Sequence, residues 1–195
     1  MSESYIQLPP DGTGKKVRAV YRGDLDTYEE VQLSKNIEIV NPVYVVAVSA
    51  SSVSASKHHL ALWNGSTQRI RVLEIIVGMH STATVSGFIM QFLVYRASAV
   101  SGGTALTIDK LDPDDPNPPS GISASTGATV TITGAPLAIF TLNPEETGAF
   151  SWIDFKPVKP IVVKPSTGLT IQQYGTAGVG LFNAVIYFSV EGIKP

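Results

Sequence analysis

The chain has 195 residues, a net charge of −2, no cysteine and a charged fraction of 15%, against about 25% in ordinary domains. These values exclude a disulfide scaffold and a thiolate nucleophile, and they provide no basic face for nucleic acid. The N-terminus lacks the basic start and apolar segment of a signal peptide. Because no apolar run approaches the roughly 20 residues that span a bilayer, we expect no membrane partner.

The first quarter of the chain carries only weak strand signals. Residues 1–16 are polar and contain Pro9-Pro10, whereas candidate strands follow at Val17–Tyr21, Tyr28–Leu33 and Val43–Val48. We interpret residues 1–49 as an extended N-terminal arm with leading strands, and an ordinary first hairpin of the main sheet is the alternative. The Ser-rich segment 50–57 predicts a loop or linker.

From residue 58 to residue 195, strand and turn signals alternate steadily, and helix signals are nearly absent. Apolar, β-branched and alternating segments predict strands at Ile70–Val77, Phe88–Arg96, Ala128–Thr133, Ile161–Val163, Leu169–Tyr174 and Leu181–Val190. Many short strands without crossover helices indicate an antiparallel arrangement. We therefore expect an all-β fold, with an antiparallel β-sandwich as the core domain at 58–195.

An acidic, proline-rich segment at Asp109–Ser123 predicts a surface loop, because each proline removes a backbone donor. The oxygen-bearing side chains between Asp109 and Asn117 leave calcium binding open. Against it, the segment lacks the glycine and the closing glutamate of the EF-hand pattern. We expect neither a resident metal nor a cofactor.

The histidines and carboxylates offer little catalytic chemistry. His58 and His59 are adjacent and should point to opposite faces of a strand, and His80 stands alone, so we expect surface or rim histidines. Glu145-Glu146 with Asp154 is the best glycosidase-like carboxylate pairing, but any β protein of this size offers such pairs. The sequence therefore predicts that the protein is not an enzyme.

The aromatic side chains are the remaining candidates for a ligand or interface role. Trp63 and Trp152 lead this group, with Tyr95, Tyr174 and Tyr187 in other strands. Stacking on sugar rings would need them exposed on a sheet face or loop rim. Because they occur within apolar strands, packing in the core is the expected role.

Several short segments resemble a pattern in small all-β virion proteins of tailed bacteriophages. They are Leu60–Ser66 followed by Arg69–Ile75, then Val85–Phe88, Tyr95–Ser98, Gly102–Thr107 and Pro165–Ile171, with Pro9–Val17 and Pro42–Val45 similar to the leader of such proteins. The resemblance implies a minor capsid, decoration or fibre-base protein located in the virion. It favours a jelly-roll-like sandwich, which is common in capsid proteins, and it supplies no catalytic residues.

The expected function is therefore structural, through contacts with other virion proteins and within a homo-oligomer. A trimer is one option, because capsid symmetry offers three-fold positions. A low charge supports this class, since fewer ions lose water when such a surface is buried. The alternative is a carbohydrate-binding β-sandwich module.

Overall fold

The computed structural model describes residues 3–7, 16–20, 41–81, 89–144, 150–154, 160–175 and 178–192, with backbone pairing alone for 3–7, 16–20 and 150–154. The described residues form strands and no helix, so no helix among them is long and apolar enough to cross a membrane. The strands are β1 Glu3–Gln7, β2 Lys16–Val20, β3 Val43–Ser52, β4 His58–Asn64, β5 Ile70–His80, β6 Met90–Ser101, β7 Thr104–Leu106, β8 Ile108–Lys110, β9 Ile122–Thr126, β10 Thr129–Leu142, β11 Phe150–Asp154, β12 Ile161–Val163, β13 Thr167–Tyr174 and β14 Leu181–Val190.

The chain divides into two compact units, Met1–Ile39 and Val40–Pro195. In the first unit, β1 and β2 form an antiparallel pair that aligns Glu3 with Val20 and Gln7 with Lys16. The candidate strand at Tyr28–Leu33 lies outside the described residues. The second unit begins earlier than the boundary expected at residues 49–50, which falls inside β3. The alternating buried positions of β3 complete the sandwich core, and this explains the difference.

The second unit is an antiparallel β-sandwich with jelly-roll topology. One sheet, called the six-stranded sheet below, has the order β10-β6-β13-β4-β9-β7. The opposite sheet has the five-strand order β11-β5-β14-β3-β8, with the short strand β12 also paired to β5. The strands of the sandwich form nested pairs. The first strand of the roll, β3, pairs with the last, β14, and the second, β4, pairs with the next-to-last, β13. Further inward, β5 pairs with β11 and β12, and β6 pairs with β10. This is the strand order of two interlocked Greek keys, and it confirms the expected fold class.

An insertion between β6 and β10 extends both sheets. After β6, the short strand β7 pairs with β9, and β9 pairs with β4 in the six-stranded sheet. Between them, β8 crosses over and pairs with β3 in the opposite sheet. The insertion thus covers one edge of each sheet, which protects edge strands that would otherwise present unpaired backbone groups.

The core lies between the two sheets and consists of apolar side chains from both. Its largest fully buried members include Tyr44, Phe92, Phe182, Phe188, Leu60 and Ile186. Phe92 from β6 and Phe182 from β14 stack with ring centroids 4.2 Å apart, which joins the two sheets directly. Burial of apolar area on this scale is the dominant favourable term in folding.

Candidate functional site

The six-stranded sheet is almost free of charge. Across β4, β6, β7, β9, β10 and β13, the only Lys, Arg, Asp or Glu residue is Arg96. The Arg96 Nη1 donates to the Val162 carbonyl at 2.7 Å, so this guanidinium is tied to β12 of the opposite sheet. Because charged groups are the most costly to desolvate, removing the outer face of this sheet from water requires little free energy.

The strand registers define which side chains share the outer face. One row runs from His58 through Gln172 and Leu93 to Ile139, and the next aligns Tyr174 with Gln91 and Thr141. A third row joins Trp63, Gly168, Ala97 and Ile132. Side chains in one row lie on the same face of a sheet. Apolar and amide groups thus dominate one end of the face, and Trp63 lies at the other.

We define the apolar patch as Ile89, Leu93, Ile139 and Tyr174. Ile89 is 71% exposed, Ile139 is 58% exposed and Tyr174 is 62% exposed. Leu93 is the cross-strand partner of Ile139 and is nearly covered, although it is not part of the core cluster. Leu137 adds a further exposed side chain in the bulge of β10 where residues 134–137 oppose Tyr95. Clustered exposed apolar side chains of this kind mark interaction surfaces.

Trp63 occupies a hollow formed by small residues. Its cross-strand partners are Gly168 and Ser123, and Gly65 follows two positions along the chain. A Cβ atom at Gly168 would lie 3.2 Å from Trp63 Cε3, and one at Gly65 would lie 3.3 Å from Trp63 Nε1. The indole therefore occupies space that side chains at both glycines would fill. Trp63 is half-buried and outside the core cluster, so the expectation of core packing was wrong for this residue.

Ser51, His59 and Gln173 form a buried polar cluster between the sheets. The β13–β4 register pairs Ile171 with Leu60 but Gln172 with His58, so His59 is an extra residue in a β-bulge. The bulge turns His59 inward beside Leu60, where its ring contacts Phe92 and Phe182 with centroids 5.5 and 4.7 Å away. His59 is fully buried, and the expectation of a surface or rim histidine was wrong for it.

The hydrogen bonds of His59 define its tautomer. Gln173 Oε1 accepts from the Ser54 backbone N–H at 2.8 Å and lies 3.4 Å from His59 Nε2. Because an amide oxygen can only accept, Nε2 carries the proton and Nδ1 accepts from the Ser51 hydroxyl at 2.9 Å. Burial lowers the pKa of His59 to about 4, with nearby Lys57 and His58 acting in the same direction and the bond to Gln173 opposing them. The imidazole is thus neutral and connects both sheets to the 53–57 loop.

His58 lies on the opposite side of β4, on the outer face. Its Nδ1 is 3.0 Å from Thr170 Oγ1, whose hydroxyl donates to the Leu60 carbonyl at 3.2 Å. The Thr170 oxygen therefore accepts from Nδ1–H, and burial lowers the pKa of His58. His80 contacts Asn183 Nδ2 through its Nδ1 at 3.0 Å on the other sheet. The three histidines do not meet at one centre.

The acidic loop is organised around a lysine. Lys110 Nζ donates to the carbonyls of Pro113 at 2.7 Å and Asp115 at 2.8 Å. Tyr44 donates its hydroxyl to the Pro116 carbonyl at 3.1 Å, and burial together with the Asp115 charge raises the pKa of Tyr44. The Lys110 ammonium group thus holds two backbone carbonyl oxygens of the Asp109–Asn117 segment. Among the described residues, no three His, Cys, Asp or Glu side chains are placed to hold a metal.

Other candidate residues fall partly or wholly outside the described part. The backbone of Trp152, in β11, pairs with that of Ile76 in β5, but the Trp152 side chain is outside the described residues. The same holds for the side chain of Asp154 and for all of Glu145 and Glu146. Of the tyrosines, Tyr174 is exposed, and Tyr95 and Tyr187 are half-buried outside the core cluster.

The fold and these surfaces define the protein as a jelly-roll β-sandwich with a nearly charge-free sheet. No family model, curated protein or solved structure matches the chain.

Proposed function

We propose that the protein is a structural subunit of a virus particle, which stabilises or decorates the particle through protein–protein contacts. The observation that carries this proposal is the six-stranded sheet of the jelly roll, which contains Arg96 as its single ion. Subunits of an assembly must bury surface repeatedly, and each buried ion without a partner costs several kcal/mol. A charge-free sheet avoids that cost across a whole face.

The architecture is consistent with this role. Jelly rolls occur widely in capsid proteins, although the fold also serves lectins and other classes, so this support is by analogy. The Phe92–Phe182 stack and the buried Ser51–His59–Gln173 cluster join the sheets rigidly. The insertion β7–β9 covers sheet edges and so limits unspecific strand pairing. A rigid body with one surface that is inexpensive to bury suits a particle component better than a catalyst.

The test is co-sedimentation of the full chain with virus shells assembled from a major shell protein of the same source. We expect saturable binding at a fixed number of copies per shell, visible as added density in electron micrographs. A heat-unfolded sample is the control for unspecific adsorption. The absence of binding to shells, tails and intact particles from the same source would contradict the virion role.

Carbohydrate binding is the second candidate, and Trp63 favours it. An indole that is partly exposed and lies over Gly65 and Gly168 presents a π surface on which a sugar ring can stack. Ser123 and Ser125 lie on the same outer face, on the neighbouring strand β9, and offer hydroxyl groups. Such a combination of an aromatic surface and few polar groups is usual for small-ligand sites.

Fluorescence titration with a glycan panel tests this second candidate. In a Trp152→Phe background, Trp63 is the sole tryptophan, and a bound sugar should shift or quench its emission. The Trp63→Ala variant should lose all binding measured by calorimetry. An unchanged Trp63 spectrum across the panel would remove carbohydrate binding as a function.

A further inference from the structure

Asn64, the last residue of β4, is followed by Gly65, and the two form the only asparagine–glycine pair of the chain. Such pairs are prone to deamidation, because glycine has no side chain to hinder the attack of its backbone nitrogen on the asparagine Cγ. The attack closes a succinimide ring and expels the side-chain nitrogen as ammonia, and water then opens the ring to aspartate or isoaspartate. Asn41, Asn117 and Asn143 precede proline, which has no N–H and cannot close this ring.

The folded chain engages the nitrogen that would attack. The Gly65 N–H donates to the Gly121 carbonyl at 2.8 Å. Before it can attack, the nitrogen must give up its proton and approach the asparagine side chain, and this hydrogen bond opposes both. A Cβ atom at Gly65 would lie 2.8 Å from the same Gly121 oxygen. The close approach of the two backbones thus requires glycine after Asn64, although this residue makes the pair reactive.

The side-chain amide of Asn64 is also held at both ends. Nδ2, the nitrogen that would leave, donates to the carbonyls of Gln68 at 2.8 Å and Val163 at 3.1 Å. Oδ1 accepts from the Ser66 hydroxyl at 2.6 Å and from the Ser66 N–H at 3.2 Å. Asn64 is fully buried, which shields its amide from the water that the reaction consumes. Cyclisation in the folded chain would therefore break several hydrogen bonds at once.

We propose that Asn64 is a latent deamidation site, which the folded chain protects and unfolding exposes. This inference does not depend on the proposed function, because the reaction needs only the chain itself and water. It follows from the hydrogen bonds that hold the amide and the attacking nitrogen.

The same hydrogen bonds imply that the reaction prevents refolding. An aspartate at position 64 has no N–H for the carbonyls of Gln68 and Val163, and its buried charge would face both oxygens. Isoaspartate would also lengthen the backbone of β4 by one carbon and disturb its register with β9 and β13. Time spent unfolded is thus converted into irreversible loss of the native state.

Peptide mapping by mass spectrometry tests this site on the full chain, incubated at pH 8 in buffer or in guanidinium chloride. We expect Asn64 to deamidate at least tenfold faster in the unfolded chain. Asn117 is the internal control, because it is exposed in the folded chain and should remain intact in both samples. After removal of the denaturant, the refolded fraction measured by circular dichroism should decrease in parallel with the fraction of intact Asn64.

Ser66→Ala removes the hydroxyl that donates to Asn64 Oδ1. It should raise the deamidation rate of the folded chain several-fold and leave that of the unfolded chain nearly unchanged. Thr67→Ala is the matched control, since it removes an exposed hydroxyl from the same turn, and circular dichroism establishes that both variants are folded. Equal rates in folded and unfolded wild-type protein, or deamidated chains that refold as fully as intact ones, would overturn the proposal.

Discussion

His59 shows how a single inserted residue changes the role of a side chain. In a regular strand it would point to the face opposite Leu60, but the bulge in β4 directs both side chains inward. Once buried, the imidazole must satisfy both nitrogens: the Ser51 hydroxyl donates to Nδ1, and the Gln173 Oε1 accepts from Nε2–H. The packing of the two sheets around His59 therefore favours the neutral form of its imidazole.

This burial predicts a dependence of stability on pH. The pKa of His59 is about 4 in the folded chain and about 6.5 when unfolded. As the pH falls below 6.5 the unfolded chain binds the proton first, so the free energy of unfolding decreases until about pH 4, by about 3 kcal/mol. Above pH 6.5 the contribution is constant. The lowered pKa of His58 acts in the same direction.

Urea unfolding of wild type and His59→Gln at pH 7, 5 and 4 measures this contribution. Glutamine offers an N–H and a carbonyl to the same partners but does not titrate. We expect the difference in unfolding free energy between the two proteins to shrink or change sign toward pH 4. Since both proteins retain His58 and all carboxylates, an unchanged difference would show that His59 does not titrate in this range.

Ala50 is a second residue whose conformation is set by its surroundings. Its φ of 50° lies in the left-handed region, in the irregularity where residues 49 and 50 of β3 oppose Asn183 of β14. The Asn183 Oδ1 accepts from the Ala50 N–H at 2.9 Å and holds this geometry. A residue with a Cβ atom is disfavoured there by about 1 kcal/mol.

Ala50→Gly should therefore stabilise the protein by up to about 1 kcal/mol, since glycine adopts positive φ without strain. Ala47→Gly is the control, because Ala47 is exposed in the regular part of the same strand, where glycine costs about 0.5–1 kcal/mol. Thermal unfolding of both variants provides the measurement. Equal destabilisation by the two substitutions would argue against strain at Ala50.

At the scale of elements, the insertion between β6 and β10 determines how the edges of the sandwich are closed. The carboxylates of its acidic segment repel one another. The positive charge of Lys110 offsets this repulsion, and its ammonium group donates to two carbonyls within the segment. Asp112 also organises the turn, accepting from the Asp114 N–H through its side chain at 3.0 Å. Tyr44 then ties the loop to the core strand β3.

Lys110→Met should loosen this loop while leaving the sandwich folded. The substitution removes two hydrogen bonds from a charged donor and should cost about 1–3 kcal/mol. Hydrogen exchange should increase at the amides of residues 111–121, including the Asp115 N–H that donates to Asp112. Lys164→Met, at an exposed lysine, is the control, and equal exchange in both variants would show that Lys110 does not organise the loop.

At the scale of the whole molecule, stability depends on contacts between the two sheets. Phe92 and Phe182 are both fully buried and stack across the interface, with His59 against them. Each lies far in sequence from its partner, so this contact forms only when the roll closes. Truncation of either ring should therefore affect the entire domain.

Phe182→Ala should reduce the unfolding free energy by about 3–5 kcal/mol, through lost burial and the cavity that remains. Leu111→Ala, at an exposed apolar position, should change it by less than about 0.5 kcal/mol. Chemical denaturation monitored by tryptophan emission compares the two. A loss below 1 kcal/mol for Phe182→Ala would mean that the sheets can repack around the missing ring.

The sequence by itself determined the all-β class, the surface course of the proline-rich loop and the low charge of the strands. These properties depend on local chemistry: the alternation of β-branched residues, the missing donors of proline and the composition of each segment. Six of the strands lie close to the positions that the alternation predicted, from Ile70–His80 to Leu181–Val190.

Only the tertiary structure decided which face each side chain occupies and which distant residues meet. A two-residue period shows that side chains alternate between two faces, but it does not show which face is buried. A bulge such as that at His59 shifts the alternation by one residue, and no sequence pattern announces it. Trp63 therefore emerged on the outer face, and β3 joined the core. Leu93, Ile139 and Tyr174 lie on one face because the roll pairs strands that are distant in the chain.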